Sequence, residues 1–156
     1  MSAFTIRKTD QPADIERFLD LFDSNGEESI HPRLVVDDDE FDLWLAESDG
    51  ELAGGAVLRE QPDDTGALRG FEDNLLIDER FRRQGLAREL MAVAEAHYRT
   101  RGLVGMQAGG SADDPRARGM FESLGYRVVK EYTRPVRVTV YGRQASEARV
   151  RMWKDF

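Results

Sequence analysis

The order of predicted elements indicates an α/β fold, in which helices cover both faces of a mixed and mostly antiparallel sheet of about seven strands. Two strand-like runs, 42–48 and 51–60, flank Asp49-Gly50, a pair typical of tight hairpins. A strand, a helix and a second strand follow over 68–108, which predicts a parallel pair joined by a right-handed crossover. The 156 residues suit a single domain, spanning 1–156, with one core.

The N-terminal part is predicted to contain one strand, one helix and a long connection. The alternating run Phe4–Lys8 is typical of a strand. A helix over 12–23 is predicted from apolar residues spaced i, i+3, i+4 and i+7, namely Ile15, Phe18, Leu19 and Phe22. Asp10 is a candidate cap for this helix. The acidic segment 24–40 lacks a clear period, and long connections of this kind are often functional.

Glycines and a proline divide the second half into two helices and their neighbouring strands. The segment Gly85–Arg101 has a helical period, and its predicted inner face comprises Leu86, Leu90, Val93, Ala94 and His97. The apolar run 103–108 predicts a strand. A second helix is predicted over 113–125, with Asp114 as its cap. Beyond Tyr126, apolar and polar residues alternate, which predicts the last strands of the sheet.

The composition restricts the kinds of partner. The formal net charge is −8, from 30 acidic and 22 basic residues, and a diffuse negative field disfavours nucleic acid and anionic membranes. Of the basic residues, 19 are Arg and three are Lys. Two interpretations of this bias stay open. One is a halophilic protein whose acidic surface is kept hydrated by carboxylates, and the other is a GC-rich genome that favours Arg codons.

Missing residue types exclude several chemistries. The chain has no Cys, which removes disulfides, thiolate metal sites and a cysteine nucleophile. With only His31 and His97, the sequence predicts no metal site. The N-terminus lacks a signal pattern, and no apolar run approaches the length that spans a membrane, so we expect a cytoplasmic protein.

A cluster of arginines surrounds the glycine at a predicted turn from strand to helix. The stretch RFRRQGLAREL places Gly85 where the strand 68–77 gives way to the next helix. A helix N-terminus presents unpaired amides and the positive end of the helix dipole, and it binds anions. Arg82, Arg83 and Arg88 add charge, so we expect a phosphate or diphosphate ligand. Neither the Walker A loop nor the dinucleotide fingerprint is present.

The pattern that remains is R-x-x-G-x-A, formed by Arg82, Gly85 and Ala87. It resembles the acyl-CoA signature [RQ]-x-x-G-x-[GA] of the GNAT superfamily of N-acetyltransferases. A second motif of that family, N-x-x-A-x-x-x-Y-x-x-x-G-[FY], resembles the spacing of Asp114, Ala117, Phe121, Gly125 and Tyr126. The resemblance extends over residues 3–156, because the hairpin and the last strand also match in order.

The resemblance implies acetyl-CoA as co-substrate, no metal, and a GNAT-like sheet whose central parallel strands, 68–77 and 103–109, splay apart. The backbone of Leu75, Leu76 and Ile77 would bind pantetheine as an added strand does, with an amide near Leu76 or Ile77 polarising the thioester carbonyl. The turn would bind the diphosphate through Arg82, Arg83, Gln84, Gly85, Leu86, Ala87 and Arg88. The second motif adds Asp114 and Phe121 to the cofactor site.

The resemblance also implies that a neutral primary amine attacks the acetyl carbon directly, after a base removes its proton. The polar insert in the strand 68–77 offers Glu72 and Asp73, of which Glu72 is named first from the family pattern. Strict alternation would place Asp73 with Leu75 and Ile77, and a β-bulge would reverse this. In the alternative interpretation, either carboxylate is solvated or binds a cationic substrate without moving a proton.

Two departures from the family leave questions open. Phe121 stands where relatives often carry the Tyr that protonates the leaving thiolate, so the alternative is a non-catalytic acyl-CoA-binding module. Otherwise the thiolate leaves without an acid, or Tyr126 or Tyr132 serves. The acceptor is expected to be a small-molecule amine or a protein amino group, and the acidic segment 24–40 favours a cationic one. Trp153 packs either in the sheet or at a homodimer contact.

Overall fold

The computed structural model describes residues 3–25, 32–37, 40–140 and 143–156. Its strands are β1 (Thr5–Thr9), β2 (Asp42–Ser48), β3 (Glu51–Pro62), β4 (Leu68–Ile77), β5 (Gly105–Ser111), β6 (Arg127–Val140) and β7 (Arg143–Asp155). Its helices are α1 (Pro12–Ser24), α2 (Arg33–Val36), α3 (Leu86–Thr100) and α4 (Pro115–Ser123), with a short 3-10 helix at Glu79–Phe81. The helix predicted from Pro12 is confirmed, although Gln11 and not Asp10 precedes it as the cap residue.

The seven strands form one sheet in the order β1-β2-β3-β4-β5-β7-β6. Every neighbouring pair is antiparallel except β4 and β5, so the predicted mixed and mostly antiparallel sheet is confirmed. The hairpin between β2 and β3 turns at Asp49 and Gly50, both of which have positive φ.

The parallel strands β4 and β5 pair over a short length and then diverge. Within these two fully described strands, pairing is confined to Arg69–Phe71 of β4 and Gly105–Gln107 of β5. Beyond that point β5 continues to pair with β7 up to Ser111, while β4 continues to pair with β3 up to Ile77. The sheet therefore has a wedge-shaped gap between β4 and β5, as the sequence predicts.

Helices cover both faces of the sheet, which positions this gap between two packed layers. On one face α1 packs through Phe18, Leu21 and Phe22. On the other face α3 and α4 cover the larger core cluster, to which α3 contributes Leu86, Leu90, Met91, Ala94 and Tyr98. The predicted inner face of α3 was wrong at Val93, which is 37% exposed, because the stripe follows Met91 and Tyr98 instead.

The C-terminal strand lies inside the sheet between β5 and β6. Trp153 packs there: its indole N–H donates to Gln107 at 2.9 Å, and the guanidinium of Arg69 lies 4.0 Å from the centre of its ring. Of the helices in the described ranges, none is long and apolar enough to cross a membrane.

Candidate functional site

A β-bulge in β4 decides which carboxylate of the polar insert faces the gap. Val57 of β3 lies opposite Asn74, and the next residue, Leu58, lies opposite Glu72, so Asp73 is an extra residue in β4. Cross-strand partners share a face of the sheet. Leu58 belongs to the core under α3, so Glu72 points to the face of α3 together with Leu75. The bulge thus reverses the assignment that strict alternation gives.

Glu72 lies at the mouth of the gap, one residue beyond the last β4 residue that pairs with β5, and near the backbone amide of Gly109. Burial of the carboxyl group and the nearby charge of Asp73 raise its pKa to about 8, while Arg149 and the Gly109 amide act in the opposite direction. A carboxyl group whose pKa lies near neutrality can exchange a proton with an amine, so the position and the pKa both suit a general base.

The carboxylate of Asp73 has different surroundings from that of Glu72. Arg59 of β3 donates to both of its carboxylate oxygens, from Nε at 2.7 Å and from Nη2 at 2.9 Å. The side chains of this pair are mostly buried, with 23% and 17% of their surfaces exposed. A bidentate pair of this kind fixes the orientation of the carboxylate. Asp73 therefore braces β4 against β3, and only Glu72 of the two carboxylates is directed into the gap.

The backbone of β4 beyond the bulge presents alternate residues to the gap. The N–H of Asp78 donates to Ala53 of β3 at 2.8 Å. In an antiparallel pair, the N–H and C=O groups of alternate residues point to the same neighbour. Those of Leu76 therefore face β3, and those of Leu75 and Ile77 face the gap. Of the three residues expected to bind pantetheine, Leu75 and Ile77 direct backbone groups to the gap, although the carbonyl oxygen of Ile77 already accepts from Arg82. Leu76 is 2% exposed and packs under α1.

A cleft of about 490 Å³ continues from the gap to the N-terminus of α3. It is lined by Leu75, Ile77, Phe81, Arg82, Arg83, Gly85, Leu86, Ala87, Arg88, Asp114, Arg116 and Met120. Gly85 immediately precedes α3 with a φ of 76°, a left-handed conformation that costs glycine little and other residues more. The motif glycine is therefore required by the path of the backbone into the helix.

The cleft is cationic at this end. Arg82 donates from Nε to the carbonyl oxygen of Ile77 at 3.1 Å. Arg83, Arg88 and Arg116 form no ion pair with any acidic residue in the described parts of the chain. Together with the amides at the start of α3, these guanidinium groups give this end of the cleft a positive charge, which favours anions.

The second motif contributes less directly than the sequence suggests. Asp114 caps α4 by accepting from the N–H groups of Arg116 and Ala117, at 3.1 and 3.3 Å, and it lines the cleft. Phe121 is 4% exposed and packs edge-on against Tyr126, with 5.2 Å between ring centres, outside the set of residues that line the cleft. Gln84 is exposed and also lies outside that set.

The tyrosines that could replace the missing acid are engaged elsewhere. The hydroxyl of Tyr126 donates to Glu95 at 2.8 Å. Burial and the charge of Glu95 raise the pKa of Tyr126 far above its ordinary value. Tyr132 lies under the guanidinium of Arg151, 5.7 Å from its ring centre.

Sequence reasoning missed three residues of the cleft, namely Phe81, Arg116 and Met120. Arg116 follows the cap Asp114 in the first turn of α4, and a basic residue beside a helix N-terminus is a signal that could have identified it. Phe81 and Met120 have no such signal, because their pattern does not distinguish them from residues of the core.

Solved structures show the same fold. A ribosomal-protein-alanine N-acetyltransferase from Brucella melitensis has a TM-score of 0.75 at 19% identity, over 97% of this chain and 99% of that chain. The ribosomal-protein-S18-alanine N-acetyltransferase from Escherichia coli has a TM-score of 0.69 at 18% identity, over 97% and 93%. An acetyltransferase from Bacillus subtilis, solved in complex with CoA, has a TM-score of 0.67 at 16% identity, over 98% and 99%.

Sequence comparison assigns the family. None of the curated proteins matches this sequence significantly. The model of the acetyltransferase (GNAT) family, however, matches residues 5–126, which include the gap between β4 and β5, the glycine turn and α4. The protein therefore belongs to the GNAT family of acetyltransferases.

Proposed function

We propose that this protein is an N-acetyltransferase that moves the acetyl group of acetyl-CoA to a primary amine by direct attack. The observation that carries the proposal is the position of Glu72 at the mouth of a gap that continues into a cationic cleft. A thioester donor lying in that cleft would bring its acetyl group to the gap, next to a carboxyl group able to accept a proton.

The donor would be held by groups along the cleft. The diphosphate would bind at the amides of the α3 N-terminus and at the guanidinium groups of Arg83 and Arg88. Pantetheine would pair with the backbone groups of Leu75 and with the N–H of Ile77, in the manner of an added strand. One of these two N–H groups would donate to the thioester carbonyl and stabilise the oxyanion that forms on attack.

The chemical step needs a proton acceptor on the amine side. Glu72 removes one proton from the substrate ammonium, and the neutral amine nitrogen then forms a bond to the acetyl carbon. The bond between that carbon and sulfur breaks, and the second proton, which attack leaves in excess on the nitrogen, passes to the departing thiolate or to water. The thiolate of CoA can leave without an acid, because the ordinary pKa of a thiol, about 8.5, makes it a stable anion. The raised pKa and the bonded hydroxyl of Tyr126 argue against that residue as a proton donor.

A specific observation supports the alternative, a binding module without turnover. Phe121, at the motif position where a tyrosine is expected, has no proton to give. Its location in the core weakens this alternative, because a side chain away from the cleft does not act on the leaving group in either case. The acceptor in the proposed reaction is a small-molecule amine or a protein amino group.

A pair of measurements tests the proposal against the alternative. Calorimetric titration measures binding of acetyl-CoA, and release of free thiol is followed for a panel of polyamines, amino sugars, amino acids and peptides with free amino termini. We expect binding together with thiol release that depends on one class of amine. Binding without release for every amine would establish the module instead, and absence of binding at several salt concentrations would exclude both.

A further inference from the structure

The sheet face on the side of α1 is covered by that helix over β2, β3 and the end of β4. Within the described ranges, no helix packs extensively on β5, β6 or β7 on this side. In β7, Val150 and Met152 are buried in the core under α3, so the residues that alternate with them point to the opposite face. Arg149, Arg151 and Trp153 therefore lie on the area that α1 leaves uncovered, and all three are half-exposed.

Basic side chains dominate this area on β6 and β7, which we call the basic face. Residues that lie opposite one another in the ladder between these strands share a face of the sheet. The basic residues on the side of Arg149 are Arg127, Lys130, Arg134, Arg149 and Arg151. Among them lie the carboxylates of Glu147 and Asp155, and Asp64 reaches Arg151 from a loop. Among the described residues, positive charges thus outnumber negative ones here, although the net charge of the chain is −8.

The carboxylates of the basic face leave part of its hydrogen-bonding capacity unused. Glu147 accepts from both Arg134 and Arg149, at 3.2 Å in each case. A guanidinium group has five N–H donors, so one carboxylate does not satisfy two such groups. Lys130 is exposed and forms no ion pair with any residue that the structure describes. Further carboxylates from outside the chain would therefore find donors on this face.

Two aromatic rings lie among these charges, and a guanidinium group is stacked on each. Arg69 lies 4.0 Å from the ring centre of Trp153, and Arg151 lies 5.7 Å from that of Tyr132. Stacking on a ring restricts the orientation of a guanidinium group, so less entropy is lost when it binds an acceptor. Trp, Tyr and Arg are also the residues enriched at the centres of protein interfaces, which favours a polypeptide partner.

The spacing of the arginines suits an extended chain. Arg149 and Arg151 are two residues apart on one strand, so their Cα atoms are separated by about 6.8 Å. In an extended peptide, side chains at alternate positions share a face and repeat at the same interval. Carboxylates at alternate positions could therefore meet both arginines, whereas consecutive acidic residues would direct half of their charge away from the face.

Two other occupants suit the basic face less well. A second copy related by a two-fold axis would bring two positive surfaces together. Single-stranded nucleic acid binds by stacking its bases on open aromatic rings. On this face, guanidinium groups already occupy one side of Trp153 and of Tyr132.

We propose that the basic face binds an extended acidic segment of a partner protein, in which Asp or Glu occupies alternate positions. The face borders the gap between β4 and β5, because Gln107, the last β5 residue that pairs with β4, lies opposite Trp153. A docked protein is thus held beside the proposed site of acetyl transfer. The docking itself requires neither acetyl-CoA nor turnover, so it goes beyond the proposed function.

Calorimetric titration with synthetic peptides tests the proposal. The probe is a peptide, blocked at both ends, in which Glu and Thr alternate. One comparison peptide has Gln in place of Glu, and another has the same composition with all Glu residues consecutive. We expect the alternating acidic peptide to bind at least about tenfold more tightly than either comparison peptide, and its affinity should fall as salt is added.

Substitutions locate the binding to the basic face. Replacing Arg149 and Arg151 together by Gln should weaken binding of the probe about tenfold or more, because charged hydrogen bonds are lost. Replacing Arg101 and Arg118 together by Gln is the matched control. It removes the same charge from ion pairs at α3 and α4, and it should change the affinity less than about threefold. Lys130→Glu reverses an exposed charge without an ion pair among the described residues, so it should weaken binding with the melting temperature unchanged.

Several results would overturn the proposal. Equal affinity of the Arg149 and Arg151 double variant and its control would place the binding elsewhere. Equal affinity for the alternating peptide and the peptide with consecutive Glu residues would refute the extended arrangement. Binding of a single-stranded oligonucleotide but of no acidic peptide, or a dimer in sedimentation that the double variant abolishes, would establish a different occupant. Thiol release does not enter these measurements, so the proposed acetyl transfer is tested separately.

Discussion

Glu72 and Asp73 are consecutive in β4, yet their carboxylates belong to opposite faces of the sheet. Arg59 donates to both carboxylate oxygens of Asp73, whereas Glu72 lies at the mouth of the gap near the amide of Gly109. The bulge at Asp73 produces this separation, because one extra residue reverses the alternation that precedes it. The two carboxyl groups therefore differ in their surroundings: that of Asp73 is held by an ion pair with Arg59, and that of Glu72 is buried at the gap with a pKa of about 8.

The first prediction concerns the proposed base. Glu72→Gln should lower kcat about 10²- to 10⁴-fold, the usual contribution of a general base, with little change in the dissociation constant of acetyl-CoA. In the wild-type protein, kcat/KM should rise with pH and level off above about 8, since the base acts only when deprotonated. Steady-state rates from pH 6 to 10 test both statements.

Asp73→Asn is the matched control for that substitution. It removes a neighbouring charge that raises the pKa of Glu72 but keeps the Glu72 carboxyl group in the gap, so kcat should stay within about tenfold of the wild-type value. If Glu72→Gln kept a tenth or more of the activity, or if the pH dependence survived in that variant, Glu72 would not be the base.

The second prediction concerns the backbone at the head of α3. Gly85→Leu should weaken acetyl-CoA binding more than about tenfold, because a φ of 76° is strained for leucine by about 1–2 kcal/mol and the turn would rearrange. Gly66, with a φ of 89°, provides the control, since Gly66→Leu introduces the same kind of strain in a loop away from the cleft. Both variants should lose thermal stability, and calorimetric titration should show that only one loses affinity.

Much of this fold and part of its site follow from the sequence. The hairpin at Asp49-Gly50 and the ends of the main helices are set by local backbone preferences, which single residues reveal. The turn at Gly85 can be predicted from the sequence for the same reason. The orientation of Glu72 cannot be predicted in this way, because it depends on the register between β4 and β3. The effect of Arg149 on the pKa of Glu72 also has no local signature, because β4 and β7 are far apart in sequence.

The third prediction concerns the cationic end of the cleft. Replacing Arg83 and Arg88 together by Gln should weaken acetyl-CoA binding at least about tenfold and make the affinity less dependent on salt, because charged hydrogen bonds to the diphosphate are lost. Arg118→Gln provides a control on the surface of α4, where Arg118 already pairs with Glu122 at 2.7 Å. Equal losses in the two proteins would mean that net charge, and not the turn, determines affinity.

The fourth prediction concerns stability and pH. Burial raises the pKa of Glu72 from 4.5 to about 8, so between these values the folded state binds more protons than the unfolded state, and the free energy of unfolding falls as pH rises. Glu72→Gln removes this dependence. Its melting temperature should therefore match that of the wild-type protein near pH 4 and exceed it by several degrees above pH 8.

Asp14 should affect the pH dependence of stability in the opposite direction from Glu72, and it therefore provides a comparison. Hydrogen bonds from Arg7 and Thr9 hold the pKa of Asp14 well below its ordinary value of 3.8. Its contribution to stability is therefore present above that value and is lost as the pH falls. Asp14→Asn should lower the melting temperature at pH 7 and lose less stability on acidification than the wild-type protein. If the melting temperature of either variant followed pH in parallel with that of the wild-type protein, the pKa shift assigned to the replaced residue would be wrong.

The fifth prediction decides whether Phe121 marks a lost general acid. Because Phe121 is buried against Tyr126 and lies away from the cleft, Phe121→Tyr should add a hydroxyl group without giving it access to the leaving sulfur. A buried hydroxyl without a partner costs about 1–3 kcal/mol, so the melting temperature should fall by several degrees while kcat stays unchanged. A rise in kcat of tenfold or more, with a new decline at high pH where a tyrosine loses its proton, would show that this position does reach the thiolate. The protein would then be an acetyltransferase weakened by one missing hydroxyl group, and the placement of Phe121 away from the leaving sulfur would be wrong.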